Sequence, residues 1–220
     1  MAQTTCPFFD SHFHIIDDSF PLVANQGYLP PTFSVRDYVD ATTKFTKTKL
    51  SGGAIVSGSF QLYDQSYLVD ALEKLNNDSV GIFVGVTQIL STTTDETILS
   101  LHSKGVRAIR FNVTRGVSLP VSEIEVLANR VYSLVGWHSE FYIDAALLES
   151  DLEFKEMLLR LPRAVIDHIG LSKIGFPQLL FLYSSSENLF VKATGFGRLL
   201  GYETDEEIKV KNDIFKFCSI

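Results

Sequence analysis

Short apolar runs rich in β-prone residues alternate along the chain with stretches of helical spacing. The runs cover residues 8–16, 53–60, 80–89, 106–112, 140–145, 163–170 and 189–195. Between them, apolar residues recur with helical spacing: Val35, Val39 and Phe45, then Leu68, Leu72 and Leu75, then Ile98 and Leu101. The same spacing continues through residues 121–135, 152–161 and 179–183. Ser34 ahead of Val35 and Ser122 ahead of Glu125 fit helix N-caps, the second as a capping box. Seven strands alternating with six or seven helices predict an α/β fold, a parallel sheet joined by right-handed crossovers.

Two architectures satisfy that order, an open doubly wound sheet and a closed TIM (β/α)8-type barrel. The open sheet commonly carries a glycine-rich phosphate loop after its first strand. Here the first strand runs into His14-Ile15-Ile16-Asp17-Asp18, so the barrel is the expectation. Residue parity agrees. In the fifth run His138, Glu140, Tyr142 and Asp144 share one face, and Phe141, Ile143 and Ala145 the other. Arg110 and Asn112 oppose Ile109 and Phe111 in the fourth run, and Lys192 pairs with Thr194 in the seventh. Polar residues converging inward at the carboxyl ends of strands are what a barrel active site requires.

Composition narrows the picture. With 220 residues, 45% of them hydrophobic, the chain suits a single domain spanning residues 1–220 with a substantial core. The charge sum, 19 − 26 = −7, has no basic cluster to offset it, so no nucleic-acid partner is expected. Cys6 and Cys218 make no metal or redox spacing and read as reduced thiols of an intracellular protein. The N-terminus has no positive, then apolar, leader pattern, and no apolar run reaches the roughly 18 residues of a membrane span. A cytoplasmic protein with no membrane partner is the expectation.

The sharpest local signal is Asp10-Ser11-His12-Phe13-His14. Strict alternation puts Asp10, His12 and His14 on one face, with the imidazoles about 7 Å apart at the strand's end. Such a pair can ligate one divalent metal, or polarise a carbonyl and orient a water. A lone histidine is more often a satisfied core residue. Two in alternation behind an aspartate, closing the first strand of a barrel, point to chemistry.

These residues resemble the first-strand signature of the amidohydrolase superfamily. More narrowly, the chain is similar to the amidohydrolase-related branch of 2-pyrone-4,6-dicarboxylate and sugar-acid lactonases. The further matches are Gly105-Val106-Arg107-Ala108-Ile109-Arg110-Phe111-Asn112, Gly136-Trp137-His138, Ile166-Asp167-His168-Ile169-Gly170, and Val191-Lys192-Ala193-Thr194-Gly195 with Arg198. They run in family order from about residue 8 to 198.

The resemblance implies a hydrolase, and the five histidines test which kind. Metal-dependent members place a third histidine at the end of strand five, and dinuclear ones a carboxylated lysine on strand four. Strand five here ends in Asp144 and strand four in Asn112, so the expected cofactor is none. The alternative is one divalent ion, zinc, on His12, His14 and His168, in a metal-dependent amidohydrolase or decarboxylase. His138 reads as structural and His102 as a surface residue.

In the metal-free branch, arginines grip substrate carboxylates, because a guanidinium forks onto them. Arg110, Arg115 and Arg198 are the candidates, whereas Arg107 has the parity of a helix-facing residue. Ser57, Ser59, Tyr28 and Tyr142 are candidate donors to substrate oxygens. His168, closing strand six, would polarise the scissile carbonyl, with Asp167 orienting it. His12, His14 and His168 are therefore the expected catalytic set.

The branch places its general base, an aspartate, at the end of an eighth strand. After Arg198 comes a charged helical stretch, 203–216, and then Phe217-Cys218-Ser219-Ile220. The expectation is a barrel truncated after strand seven, with open edges that favour homo-oligomers. The base would be lost unless Asp10 or Asp17 substitutes, at a typical cost of about two to four orders of magnitude. The expected function is opening of a small carboxylated or sugar-acid lactone, weakened in this chain. The remaining alternative is a catalytically inactive protein that binds the same ligands.

Overall fold

Seven strands follow one another in chain order: β1 (Phe8–Phe13), β2 (Leu50–Val56), β3 (Ile82–Thr87), β4 (Val106–Asn112), β5 (His138–Tyr142), β6 (Ala164–Ile166) and β7 (Leu189–Val191). The computed structural model describes residues 7–25, 27–45, 50–77, 81–115, 119–171 and 176–195. Sheet order is the same as chain order. β1 to β4 pair in parallel succession, and so do β5 to β7. Helices α1 (Val35–Phe45), α2 (Ser66–Asn77), α3 (Asp95–Ser103) and α4 (Val121–Val135) fill the first four connections. Helices α5 (Leu147–Ser150), α6 (Leu152–Arg160) and α7 (Phe176–Ser184) fill the rest. Strand, helix, neighbouring parallel strand is the repeat of a TIM-type barrel, with seven strands among the described residues.

By its contacts the chain divides into two compact units, residues 1–110 with 130–138 and residues 111–129 with 139–220. In the first, α2 buries Tyr67, Leu68, Ala71, Leu72 and Leu75, one apolar stripe of an amphipathic helix. Ile55, Phe83, Ile98, Ile109 and Trp137 join that core. Small side chains, Ala54, Val56, Val86 and Ala108, cluster across β2, β3 and β4. In the second unit Phe141 stacks on Phe111 at 5.2 Å and meets the edge of Phe154 at 5.9 Å. Leu148, Met157, Ile166 and Leu182 are buried in the same unit.

Helix starts follow local chemistry. Ser34 caps α1 as expected: its Oγ accepts from the Asp37 amide at 3.3 Å and donates to the Asp37 carboxylate at 2.7 Å. Thr94 and Asp151 cap α3 and α6 in the same way, accepting from Thr97 N and Phe154 N. Ser122 does not cap α4. That helix begins at Val121, behind Pro120, whose carbonyl accepts from Ile124 N at 3.0 Å.

β4 has its expected ends, whereas the other strands stop early. The runs past β2 and β6 enter short 3-10 elements, Ser59–Gln61 and Asp167–Leu171, and those past β1 and β7 leave the ladder without a further element. β5 begins at His138 and ends at Tyr142, so Asp144 is not in the strand. It is exposed, and its carboxylate accepts from Ala146 N at 3.0 Å ahead of α5. The expected absence of an eighth strand concerns residues beyond 195, outside the described residues. Among the described residues no helix is long and apolar enough to cross a membrane.

Candidate active site

A β-bulge in β1 decides which residues of the Asp10–His14 motif act together. Asp10 pairs with Gly53 and Phe13 with Ile55, so three steps on β1 oppose two on β2. The extra residue breaks strict alternation. Asp10 and Phe13 consequently meet the same neighbour, Tyr38 of α1. Its hydroxyl donates to Asp10 Oδ2 at 3.3 Å, and its ring stacks on Phe13 at 3.8 Å. Asp10 Oδ1 accepts from the His12 amide at 3.3 Å and so ties down the bulge. Gly53 makes this crossing feasible, since a Cβ there would lie 2.8 Å from the Phe13 ring and 2.9 Å from Asp10 O. The expectation that Asp10 shares a face with both histidines is thus corrected.

His12 and His14 stay together, their rings 5.1 Å apart and nearly perpendicular. His14 Nδ1 lies 2.6 Å from the carbonyl oxygen of Val56, at the end of β2. A carbonyl only accepts, so Nδ1 must carry the proton.

The chain after β2 is held from several sides. Arg110 on β4 is buried and its Nη1 donates to Ser57 O at 2.9 Å. Gln88 Nε2 donates to Gly58 O and Leu62 O, and Gln61 receives the Gly58 amide while donating to Ile15 O. Ser57 Oγ and Tyr67 Oη are 2.6 Å apart in the core. Burial pushes the Tyr67 hydroxyl well above its ordinary pKa, so it stays protonated. The Ser57 hydroxyl, expected to face substrate, is committed to Tyr67 instead. Ser59 is half-buried and opens a short 3-10 turn, Ser59–Gln61.

In the second unit, β6 ends at Ile166, and after Asp167 four residues turn left-handed. His168, Ile169, Gly170 and Leu171 all have φ between 47° and 64°. For the three non-glycine residues this conformation costs about 1–2 kcal/mol each. His168 is therefore carried on a strained turn, and not on the strand itself as expected. Its Nδ1 is 2.9 Å from Thr194 Oγ1, and its ring stands edge-on to the buried Tyr142 at 5.8 Å. Beside it Lys192 Nζ lies 2.7 Å from Glu140 Oε2 and 3.7 Å from Asp167 Oδ1, and both carboxylates are buried.

Other candidates fall elsewhere. Tyr28 is 55% exposed and bridges Asn25 in a short antiparallel contact. Arg115 is exposed in the loop after β4. Arg107 donates to the His102 and Val106 carbonyls, on the outer side its parity implied. Asp17 is held by Ser19, whose hydroxyl and amide lower its pKa. His138 is half-buried at the start of β5. His102 is not a simple surface residue, because its Nδ1 accepts from the indole N–H of buried Trp137 at 3.1 Å. Arg198 lies outside the described residues. Gln61, Gln88 and Tyr67 escaped the sequence reading, since isolated amides and a helix tyrosine carry no motif.

The donor set bears on metal binding. His12 and His14 supply two imidazoles, and a histidine that donates Nδ1–H to a carbonyl commonly ligates through Nε2. That pair fits two positions of a divalent ion. The bulge removes Asp10 as a third. In the second unit, Glu140 and Asp167 already share an ammonium.

Parallel strand–helix repeats, with histidine, arginine and carboxylate side chains at or just past the strands' carboxyl ends, define a β/α barrel of the kind that houses hydrolytic sites. Residues 9–211 match the model of the Amidohydrolase family, and the chain belongs to that family. A curated relative is the 2-pyrone-4,6-dicarboxylate hydrolase of Comamonas testosteroni, 28% identical over 172 residues, which cover 73% of this chain. The matched region spans about half (51%) of that relative's length. Among solved structures, one from Acinetobacter baumannii is described as a probable 2-pyrone-4,6-dicarboxylic acid hydrolase with citric acid bound. It aligns at a TM-score of 0.77 with 20% identity, covering 94% of this chain and 77% of its own. A Pseudomonas putida structure with a similarly provisional description aligns at 0.69 with 25% identity, covering 90% and 72%.

Proposed function

We propose that the chain hydrolyses a small carboxylated lactone. The observation that carries this reading is the His14–Val56 hydrogen bond, which puts the proton on Nδ1 and sets the orientation of the ring just past β1. Water adds to the lactone carbonyl and gives up a proton, the ring C–O bond breaks, and that proton goes to the leaving ring oxygen. His12 and His14 would orient the water. His168, backed by Thr194, would polarise the carbonyl as charge builds on its oxygen. Arg110 would grip a carboxylate while its Nη1 stays anchored on Ser57 O. The dicarboxylate in the Comamonas relative's name and the citric acid on the Acinetobacter structure support a substrate with more than one carboxylate. Asp10 and Asp17 do not serve as the base, because Tyr38 and Ser19 engage them.

The same Nδ1–carbonyl bond favours a second reading, a metal-dependent hydrolase with His12, His14 and His168 as ligands. A bound zinc would supply Lewis-acid activation of the carbonyl and an acidified water. Hydrolysis of 2-pyrone-4,6-dicarboxylate before and after exhaustive chelation separates the two. Unchanged turnover supports the metal-free site. Loss with chelator and recovery with zinc establishes the metal. No ring opening in either state overturns the lactonase reading.

A further inference from the structure

His168 sits in the least comfortable stretch of described backbone, four consecutive residues of positive φ. Strained turns persist only where their surroundings over-determine them. Here the determinants come mainly from the segment that follows β7. The Lys192 amide donates to Ile166 O at 2.9 Å, and the Lys192 carbonyl accepts from Ile169 N at 3.2 Å, so its backbone spans Asp167 and His168 at the entry to the turn. Its ammonium reaches Asp167, the residue that opens the turn, and Glu140 on β5. Ala145, just past β5, donates its amide to Gly170 O at 2.7 Å. The imidazole is fixed separately. Thr194 Oγ1 meets Nδ1, and Gly195, at φ +70°, lets the ring lie against the backbone where a Cβ would come within 2.7 Å of Nδ1.

We infer that Lys192 and Thr194 are positioning residues for His168, Lys192 holding the left-handed turn through Asp167 and Glu140, and Thr194 setting the ring. Neither residue has to touch substrate. The inference rests on the proposed role of His168 at the carbonyl, and the test below keeps the two apart.

The experiment uses the full chain uniformly labelled with 15N, as wild type, Lys192→Met, Lys192→Arg, Thr194→Val and Thr194→Ser. In Lys192→Met the Ile169 and Ala145 amides exchange about tenfold faster or more, and Lys192→Arg restores most of the protection. In Thr194→Val the amides stay protected while the His168 ring nitrogens shift, and Thr194→Ser restores them. On 2-pyrone-4,6-dicarboxylate, kcat falls by about tenfold or more in Lys192→Met and Thr194→Val, with KM within about twofold. Unchanged exchange and ring shifts in folded variants overturn the inference. Should Lys192→Met not fold, the near-isosteric Thr194→Val decides, and unaltered ring nitrogens there overturn it. If the exchange and shift changes occur but wild type opens no lactone, the positioning role stands and the lactonase reading fails.

Discussion

His14 Nδ1 lies 2.6 Å from the carbonyl oxygen of Val56, so one strand end dictates the protonation pattern of the side chain at the next. Replacing His14 by Asn or Ala should lower kcat for lactone opening by about 10²-fold, the scale of a misplaced reacting group. The midpoint of thermal melting should move little, because the ring is only half-buried. Steady-state kinetics beside circular dichroism melts will check both halves. Wild-type turnover in a folded His14→Ala protein would remove His14 from the mechanism.

Asp10 offers the contrasting case. Asp10→Asn keeps the shape that accepts from the His12 amide but weakens the hold on Tyr38. The variant should melt earlier yet keep kcat within a few-fold, whereas loss of a general base would cost about 10² or more. A hundredfold loss of kcat would restore Asp10 to the catalytic set.

Arg110 is buried and already anchored on Ser57 O, which presets the guanidinium. Arg110→Lys retains the charge but not the planar fork. KM for the dicarboxylate should rise about tenfold, equivalent to about 1.4 kcal/mol. A monocarboxylate analogue bound equally well by both proteins would argue against a carboxylate grip.

The His102–Trp137 pair predicts a pH effect on stability. The indole N–H only donates, so His102 Nδ1 must be unprotonated, and burial, then the nearby Arg107, hold the imidazole below its ordinary value of 6.5. A depressed folded-state value means the unfolded chain takes up the proton first, so the contribution is full above about pH 6.5 and fades as pH falls toward the folded value. The melting midpoint should therefore decline on acidification through this window. The chain's single tryptophan offers a fluorescence signal for the same event. His102→Gln should flatten the pH dependence; an unchanged slope would assign it to other groups.

In the core, Phe141→Ala removes a ring lying between Phe111 and Phe154, at a cost of about 3–5 kcal/mol. Urea unfolding should show that loss as a lower midpoint at nearly constant slope. A loss below about 1 kcal/mol would mean that the aromatic cluster repacks around the gap.

Much of this was legible in the residues. Alternating apolar runs located all seven strands, and β4 matched to the residue, with Gly105 at φ +101° just ahead of it. What periodicity could not show was where each strand leaves the sheet. The left-handed turn at His168 consists of residues that local preference would keep extended, and it is held by partners far along the chain, Lys192 and Ala145. The β1 bulge was equally hidden, since only pairing with β2 reveals an extra residue. Ser57 looked like a substrate donor until Tyr67, ten residues on and a helix away, claimed its hydroxyl.

The bulge splits one five-residue motif between two kinds of constraint. Asp10 and Phe13 answer to α1, whose Tyr38 they seat, while His12 and His14 are the pair proposed to orient water. In a lineage that gave up catalysis, the two histidines would be free to drift while the aspartate and phenylalanine remained. The half of the motif that survives in a descendant therefore tells whether it inherited a working enzyme or only the wall of one.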